Sequence, residues 1–448
     1  MKKILCLIAL LLACVCVFAA CKNNEGNNPQ ETSTTIDNTT PDTSVNQENY
    51  VPTEGILYEI SEDGTYAVVV GYEGMATDVK IAKTYNGLPV TIIDNDSFCE
   101  YTSLTSVTIP DSVTTIGEMA FFKCTSLKSV TIPDSVATID IGAFAYCDSL
   151  TSVTIPKNVT TIGLVAFFGC NSLTNIVVLN ENPVYYSEGN CIITRDDMAL
   201  IQGCNNSVIP QGITSIGDAA FSNCSSLTSV TIPDSVTSIG ESAFSRCTSL
   251  TSVTIGNSVT SIGSYAFQEC SSLTSVTFPD SVTSIGDSVT SIGDYAFSFC
   301  TSLTSITIPD SVMSIGNYAF CSSSSLTSVT ILDGVTSIGN CAFYKCSSLT
   351  SINIGNNVMS IGDRAFDDCS SLTSVTIPDS VTRIGDEAFG WCFSLTSVTF
   401  ANPNGWWRTQ DANATSGTNI SAEYLADPAT AAEYLKSTYR DYYWFRTE

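Results

Sequence analysis

One spacing governs what this chain can fold into. Phenylalanines recur at Phe98, Phe121, Phe144 and Phe167, at Phe221, Phe244 and Phe267, and at Phe297, Phe320, Phe343, Phe366 and Phe389, and every step within a run is 23 residues. A fixed period of that size marks a solenoid, in which a single unit cannot bury its apolar face but stacked units bury it against each other. The unit is legible from Ser226, SLTSVTIPDSVTSIGESAFSRC. Leu227, Val230 and Ile232 give an L-x-x-L-x-L spacing, with Val230 and Ile232 on one face of a short strand. Pro233-Asp234 ends that strand and turns the chain. Val236 and Ile239 point inward, Gly240 marks a tight turn, and Ala243, Phe244 and Cys247 form a short helical or 3₁₀ corner. At about 4.8 Å per coil, twelve coils make a rod or arc roughly 60 Å long.

Two departures from the period define local variants. From Phe167 to Phe221 the step is 54 residues, and NPVYYSEGNCIITRDDMALI within it has turn-formers at Ser187 to Asn190 and at Arg195-Asp196-Asp197. This predicts a β-hairpin coil at about 175–213. From Phe267 to Phe297 the step is 30, because SVTSIGD occurs at both Ser281 and Ser288. Seven extra residues are too few for a coil and predict an extruded loop at about 281–290.

The repeat, over residues 91–400, resembles the BspA-type leucine-rich repeats of bacterial surface proteins. TEGILYEISEDGTYAVVVGYEG, from Thr53, is similar to the β-rich lead-in of that family, with YNGLPVTII as its joining phrase. AAEYLKSTYRDYYWFR is similar to its C-terminal cap. The resemblance implies a leucine-rich-repeat solenoid with parallel β-strands on the concave face. It also implies a surface role that includes binding extracellular-matrix proteins. The expected divisions are a β-rich N-terminal cap at 53–90, the solenoid at 91–400 and a C-terminal cap at 401–448. Asp427-Pro428 is an N-cap and N1 pair for a helix through Ala432, Leu435 and Tyr439. The nearby aromatics Trp406, Trp407 and Tyr442 to Phe445 suit either a cover for the last coil or a glycan platform.

The N-terminus reads as a secretory leader. Lys2 and Lys3 precede an apolar run from Ile4 to Ala20, giving a signal peptide over 1–20. The run ends in Phe18-Ala19-Ala20-Cys21, which resembles a lipobox with Phe18 at the usual Leu place and makes Cys21 the lipid attachment site. An ordinary cleaved signal with an incidental cysteine is the alternative. The polar stretch to residue 52 has too few apolar residues to fold, so 21–52 is expected to be a tether. With Lys2 and Lys3 removed, 15 basic residues stand against 44 acidic, a net charge of −29. That balance excludes nucleic acid as a partner and leaves the lipid as the only expected membrane contact.

Little remains for catalysis. The chain has no histidine, which removes Ser-His-Asp, Cys-His and histidine-metal chemistry. Every serine has near-copies in other coils, whereas an enzyme needs one special site. Cys124, Cys147, Cys170, Cys224, Cys247, Cys270, Cys300, Cys346, Cys369 and Cys392 each follow a repeat Phe by three and predict a buried thiol ladder. Equivalent side chains pointing the same way from parallel coils suit disulfides poorly. Ser323 replaces the cysteine in one coil. Asp111, Asp134, Asp234, Asp280, Asp310, Asp333 and Asp379 follow the strand at its turn. Lys157, Asn257 and Asn356 at the same place favour turn formation over calcium ligation.

The outward strand residues remain: Ser229 and Thr231, Ser252 and Thr254, Ser275 and Thr277, Ser305 and Thr307. They make a flat, uncharged hydroxyl surface on the expected concave face. Good exposed strand formers would look the same. The expectation is a non-enzymatic, lipid-anchored surface protein without cofactors that presents a rigid array to a protein or glycan of a host or neighbouring cell. The alternative is a structural cell-envelope protein with no dedicated ligand.

Overall fold

A computed structural model describes residues 51–278 and 291–447. The leader, Cys21, the tether up to Tyr50, Asp280 and the expected loop at 281–290 lie outside the described residues. The repeats form a parallel β-solenoid. The twelve phenylalanines are buried in the core. Within each run their rings stack face to face, with centroids 4.9 to 5.6 Å apart. That is close to the spacing of neighbouring strands in a sheet. Phe267 and Phe297 stack at 5.1 Å, and Ser261 pairs with Ser291 in register. The seven-residue insertion therefore adds no coil, as its length predicts.

Each coil contributes two strands where the sequence pattern suggested one. The first is the expected Ser-Val-Thr strand, for example Ser229–Thr231, Ser252–Thr254 and Ser275–Thr277, paired parallel and in register. The second is a two-residue strand such as Ser238–Ile239 or Ser261–Ile262. It runs unbroken from Ser215–Ile216 to Arg383–Ile384. Two residues suffice because the neighbouring coil supplies the partners. Thr237 N–H donates to Thr214 and Gly240 N–H to Ile216, each at 2.8 Å.

The corner is not helical. Residues 241–246 are a chain of turns. The amides of Ala243, Ser245 and Cys247 donate three residues back within the coil. Those of Ser242, Phe244 and Arg246 donate to Ser264, Ala266 and Gln268 of the next coil. What redirects every second amide is a left-handed residue on either side of the Phe, Ser242 at φ 55° and Arg246 at φ 60°. The same pair recurs from Asp96 and Glu100 to Glu387 and Trp391, with Gly142 and Gly169 taking two of the places. A helix would spend its amides on itself. A coil corner must spend half of them on its neighbour, and that requirement overrides helix propensity.

Gly240 also works differently from the expected tight turn. It keeps a negative φ, and a Cβ there would lie 2.7 Å from the Asp218 backbone nitrogen. Gly263, Gly293, Gly316, Gly339, Gly362 and Gly385 face the coil below in the same way. These glycines are sites of close approach between coils.

The variant coil is the expected hairpin. Tyr185–Glu188 pairs antiparallel with Cys191–Thr194 across Gly189 and Asn190, both at positive φ. Ala199–Gln202 then returns the chain to the parallel stack by pairing with Ser215–Ile216. Here the core divides into two clusters. At the start, Ile56–Ile60 and Ala67–Tyr72 form an antiparallel pair that joins Leu88–Ile93. At the end, Tyr443–Arg446 lies on Arg383–Ile384 and pairs with Trp406–Thr409. Asp427 accepts the Thr430 amide at the start of helix Pro428–Glu433. Trp406, Trp407 and Trp444 are buried, so these three rings offer no glycan platform.

The close-approach glycines give a direct test. In Gly263→Ala the new methyl meets backbone atoms of Glu241 and Gly240 at 2.7 Å, and backbone cannot rotate away. Overpacking of this kind costs about 1–3 kcal/mol. Urea unfolding should show a lower midpoint in Gly263→Ala. An unchanged midpoint would mean that the coils are not packed this closely.

Candidate functional site

The eight hydroxyl residues singled out from sequence are all exposed, while Val230, Val253 and Ile306 between them are buried. They do not share one sheet. Six lie on the three-stranded sheet of Ser229–Thr231, Ser252–Thr254 and Ser275–Thr277. Ser305 and Thr307 belong to a separate five-stranded sheet that begins beyond the insertion.

Register is what turns six side chains into a surface. Ser229, Ser252 and Ser275 form one row, and Thr231, Thr254 and Thr277 a second. A third row lies beside them and behaves differently. Thr251 Oγ1 donates to the Thr228 carbonyl at 2.9 Å, and Thr274 Oγ1 to Thr251 at 3.0 Å. Those hydroxyls are committed to holding coils together. The Ser and Thr hydroxyls of the three strands have no hydrogen-bond partner among the described residues.

The cysteine ladder is structural, and its chemistry exceeds simple apolar packing. The ten ladder cysteines are free thiols. Cys247 Sγ donates to the carbonyl of Phe221 at 3.1 Å, and Cys270, Cys346, Cys369 and Cys392 do the same toward the Phe of the coil before. Each such carbonyl therefore accepts twice: Phe221, for example, also takes the Cys224 amide. Ser323 Oγ makes the same bond to Phe297 at 3.1 Å, which explains how a serine fits a column of cysteines. Burial pushes the Cys124, Cys170 and Cys392 thiols up to about 12 and holds Cys247 and Cys369 well above the ordinary range.

The family model for the BspA type leucine rich repeat region matches residues 87–192, 201–291 and 290–406, in six copies. The chain belongs to the BspA-type leucine-rich-repeat family. Among solved structures it is similar to a leucine-rich repeat protein from Bacteroides ovatus ATCC 8483, with 29% identity and a TM-score of 0.52 over 79% of this chain and 88% of that one. It is also similar to a leucine-rich repeat protein from Eubacterium ventriosum ATCC 27560, with 22% identity and a TM-score of 0.53 over 77% of this chain and 94% of that one. Among curated proteins there is no match to the chain.

In this BspA-type solenoid the acidic turn row serves the next coil. Asp234 Oδ1 accepts the Asn257 amide at 2.8 Å, and Asp333 Oδ1 the Asn356 amide at 2.7 Å. Lys157 pairs with Asp134 at 3.1 Å. The Asn and Lys substitutions in the row are thus partners of the Asp one coil before. No group of three Cys, Asp or Glu side chains able to hold a metal ion occurs among the described residues. No helix among them is long and apolar enough to cross a membrane.

One site breaks the repetition, and the sequence reading missed it. Asp367, directly after Phe366, is 3% exposed, and its Oδ1 has no hydrogen-bond partner among the described residues. Burial, with the Glu387 carboxylate beside it, pushes Asp367 up to about 6. Arg364 forms an ion pair with Glu387. The only signal in sequence was an acid in the position after the repeat Phe, where other coils carry Phe, Ala, Ser, Gln, Cys, Tyr or Gly.

The thiols supply the pH test. Their folded-state affinity for protons exceeds the unfolded value of about 8.5, so their contribution is complete below that pH. It is lost as pH rises from there toward about 12. Unfolding midpoints should fall steadily above about pH 9. A thiol reagent should label the native protein poorly and the denatured protein fully, without reductant. Cys247→Ser, which keeps the donor, should lose less stability than Cys247→Ala, where about 1–2 kcal/mol is expected. Denatured protein that stays unlabelled until reduced would show disulfides in place of the ladder.

Proposed function

We propose that this chain is a non-enzymatic cell-surface binding or adhesion protein that presents its Ser-Val-Thr sheet to a protein or glycan of a host or neighbouring cell. The observation that carries this reading is the pair of in-register rows of exposed hydroxyls from Ser229 to Thr277, unbonded among the described residues, beside a threonine row whose hydroxyls are already bonded. Short, uncharged side chains let a partner approach the backbone closely and form many weak hydrogen bonds at once. The missing histidine and the repetition of every serine support a binding role over catalysis.

Cys21 carries a lipid in this reading, and residues 21–52 hold the solenoid away from the membrane. Support comes from the apolar run that stops at Cys21 and the polar stretch that begins immediately after it. Each buried methylene of the lipid adds about 0.8 kcal/mol of membrane affinity. Cys21→Ser should move the protein from the membrane to the soluble fraction and abolish incorporation of labelled palmitate. Persistent labelling would assign the lipid to Cys14 or Cys16.

An array of glycans and matrix proteins, probed with the mature protein, tests the binding role. Specific, saturable hits are expected. Silence on the array combined with self-association of the protein would favour a structural envelope role. With a ligand in hand, Thr254→Arg with Thr277→Arg should abolish binding by placing long charged side chains on the sheet. These sites are exposed, and changes at such positions usually alter stability by less than about 0.5 kcal/mol. Asp234→Arg with Asp310→Arg is the matched change at the turn edge and should bind as wild type. Loss in the Asp pair alone would move the contact to the acidic edge.

A further inference from the structure

Repetition makes any departure stand out, and beside the departure at Asp367 lies a cavity. It has a volume of about 420 Å³ and is lined by Tyr344, Arg364, Asp367, Asp368, Glu387, Trp391 and Phe393. Its origin is a coincidence of two departures in one column, the position after the repeat Phe. Asp367 is the only carboxylate in that column, and the next coil places Gly390 above it. A Cβ on Gly390 would lie 3.0 Å from Asp367 Oδ1. Only a residue without a side chain leaves that oxygen its room beside the cavity that Asp367 lines.

Charge and walls specify the occupant. Three carboxylates face one guanidinium, Arg364, which Glu387 already engages. A buried carboxylate oxygen with no partner is destabilising unless something pairs with it. Trp391 and Phe393 stand edge to face at 5.8 Å and remain 48% and 68% exposed. Rings in this region already take cations. Arg440 lies 4.8 Å from the Trp391 centroid and Lys345 lies 5.1 Å from that of Tyr344. These carboxylates do not converge as a metal-ligating group, and the aromatic wall suits an organic cation instead.

We propose that this cavity binds an alkylammonium or guanidinium group, with the cation between Asp367 and Asp368 and its aliphatic stem against Trp391 and Phe393. The source is a Lys or Arg side chain of a polypeptide or a free amine. The site lies on the corner, apart from the Ser-Val-Thr strands, and stands or falls independently of the binding role given to that sheet.

Trp391 is the reporter, because Trp406, Trp407 and Trp444 are buried. The mature protein is titrated with cadaverine, agmatine, Nα-acetyl-lysine amide and a lysine-rich peptide, and with maltose and calcium chloride as separate arms. Saturable change in tryptophan emission, weakened by salt, is expected for the amines and absent for maltose and calcium. Much tighter binding of the peptide than of cadaverine identifies a polypeptide source, and equal affinity a free amine. Asp367→Asn should weaken amine binding at least tenfold. It should also hold or raise the unfolding temperature, because it removes an unpaired buried charge; a purely structural Asp367 would lower it. Trp391→Asn, at an exposed position where Asn tolerates the φ of 53°, provides a second variant; it removes the reporter, so its binding is read by titration calorimetry beside the wild type and should be weakened severalfold. Absence of saturable amine binding, undiminished affinity in both variants, or a response to maltose or calcium alone would overturn the proposal.

Discussion

Everything in this protein depends on one contact, the stacking of each residue on its equivalent one coil away. The phenylalanine rings at 4.9 to 5.6 Å set the distance, and hydrogen bonds of the strands and corners share it. Because stability in such an array is close to a sum over neighbouring coils, each device needs to work only once and is then repeated. The thiol-to-carbonyl bond, the threonine bridge, the turn aspartate and the close glycine are four solutions to the same task of joining a coil to the one before it. A shift of one residue in any coil would put all four out of step. This explains why the two irregular segments are handled so differently. On either side of the seven extra residues the two-residue strands and the phenylalanine stack keep their pairing, while the Ser-Val-Thr strands fall into two sheets. At the hairpin coil the core itself separates into two clusters.

The same economy determines which polar groups are left for a partner. Threonines 228, 231, 251 and 254 look equivalent in sequence, yet they divide by position. Thr251 lies where the next carbonyl is within reach and spends its hydroxyl on the stack. Thr254 lies on the strand proper, where the backbone already bonds in register and leaves the side chain outward. Bonded and outward-facing hydroxyls thus lie within three residues of each other.

The sequence carried the period, the buried phenylalanines, the thiol ladder, the hairpin and the neutral length of the insertion, because each of these follows from spacing alone. The second strand was not legible, since two residues such as Ser238 and Ile239 hold no pattern of their own and gain strand geometry only from neighbours. The corner was misread for a related reason. Ser242, Arg246, Tyr265 and Glu269 carry no mark of left-handed backbone, and Ala-Phe among them suggests a helix until the amides of the next coil are counted. Gly240 was recognised as special, but its reason is the chain below it and not its own φ. At the candidate surface, exposure of the eight hydroxyl residues was legible. Their division between two sheets was not, since it depends on how the insertion interrupts pairing.

The two sites proposed for this chain, a repeated surface and a cavity at one coil, rest on different physics. Rows such as Ser229, Ser252 and Ser275 offer the same weak contact at each coil, so affinity must come from many contacts made together, as with linked binding sites. A partner of matching period gains from every coil added, and losing one coil costs it little. Asp367 gains nothing from repetition. In the proposed site the energy comes from one buried charge, with a glycine and an aromatic pair beside it that occur at this coil. In a molecule built from equivalent coils, departures such as Asp367 and Gly390 are therefore where selectivity can be placed without disturbing the stack.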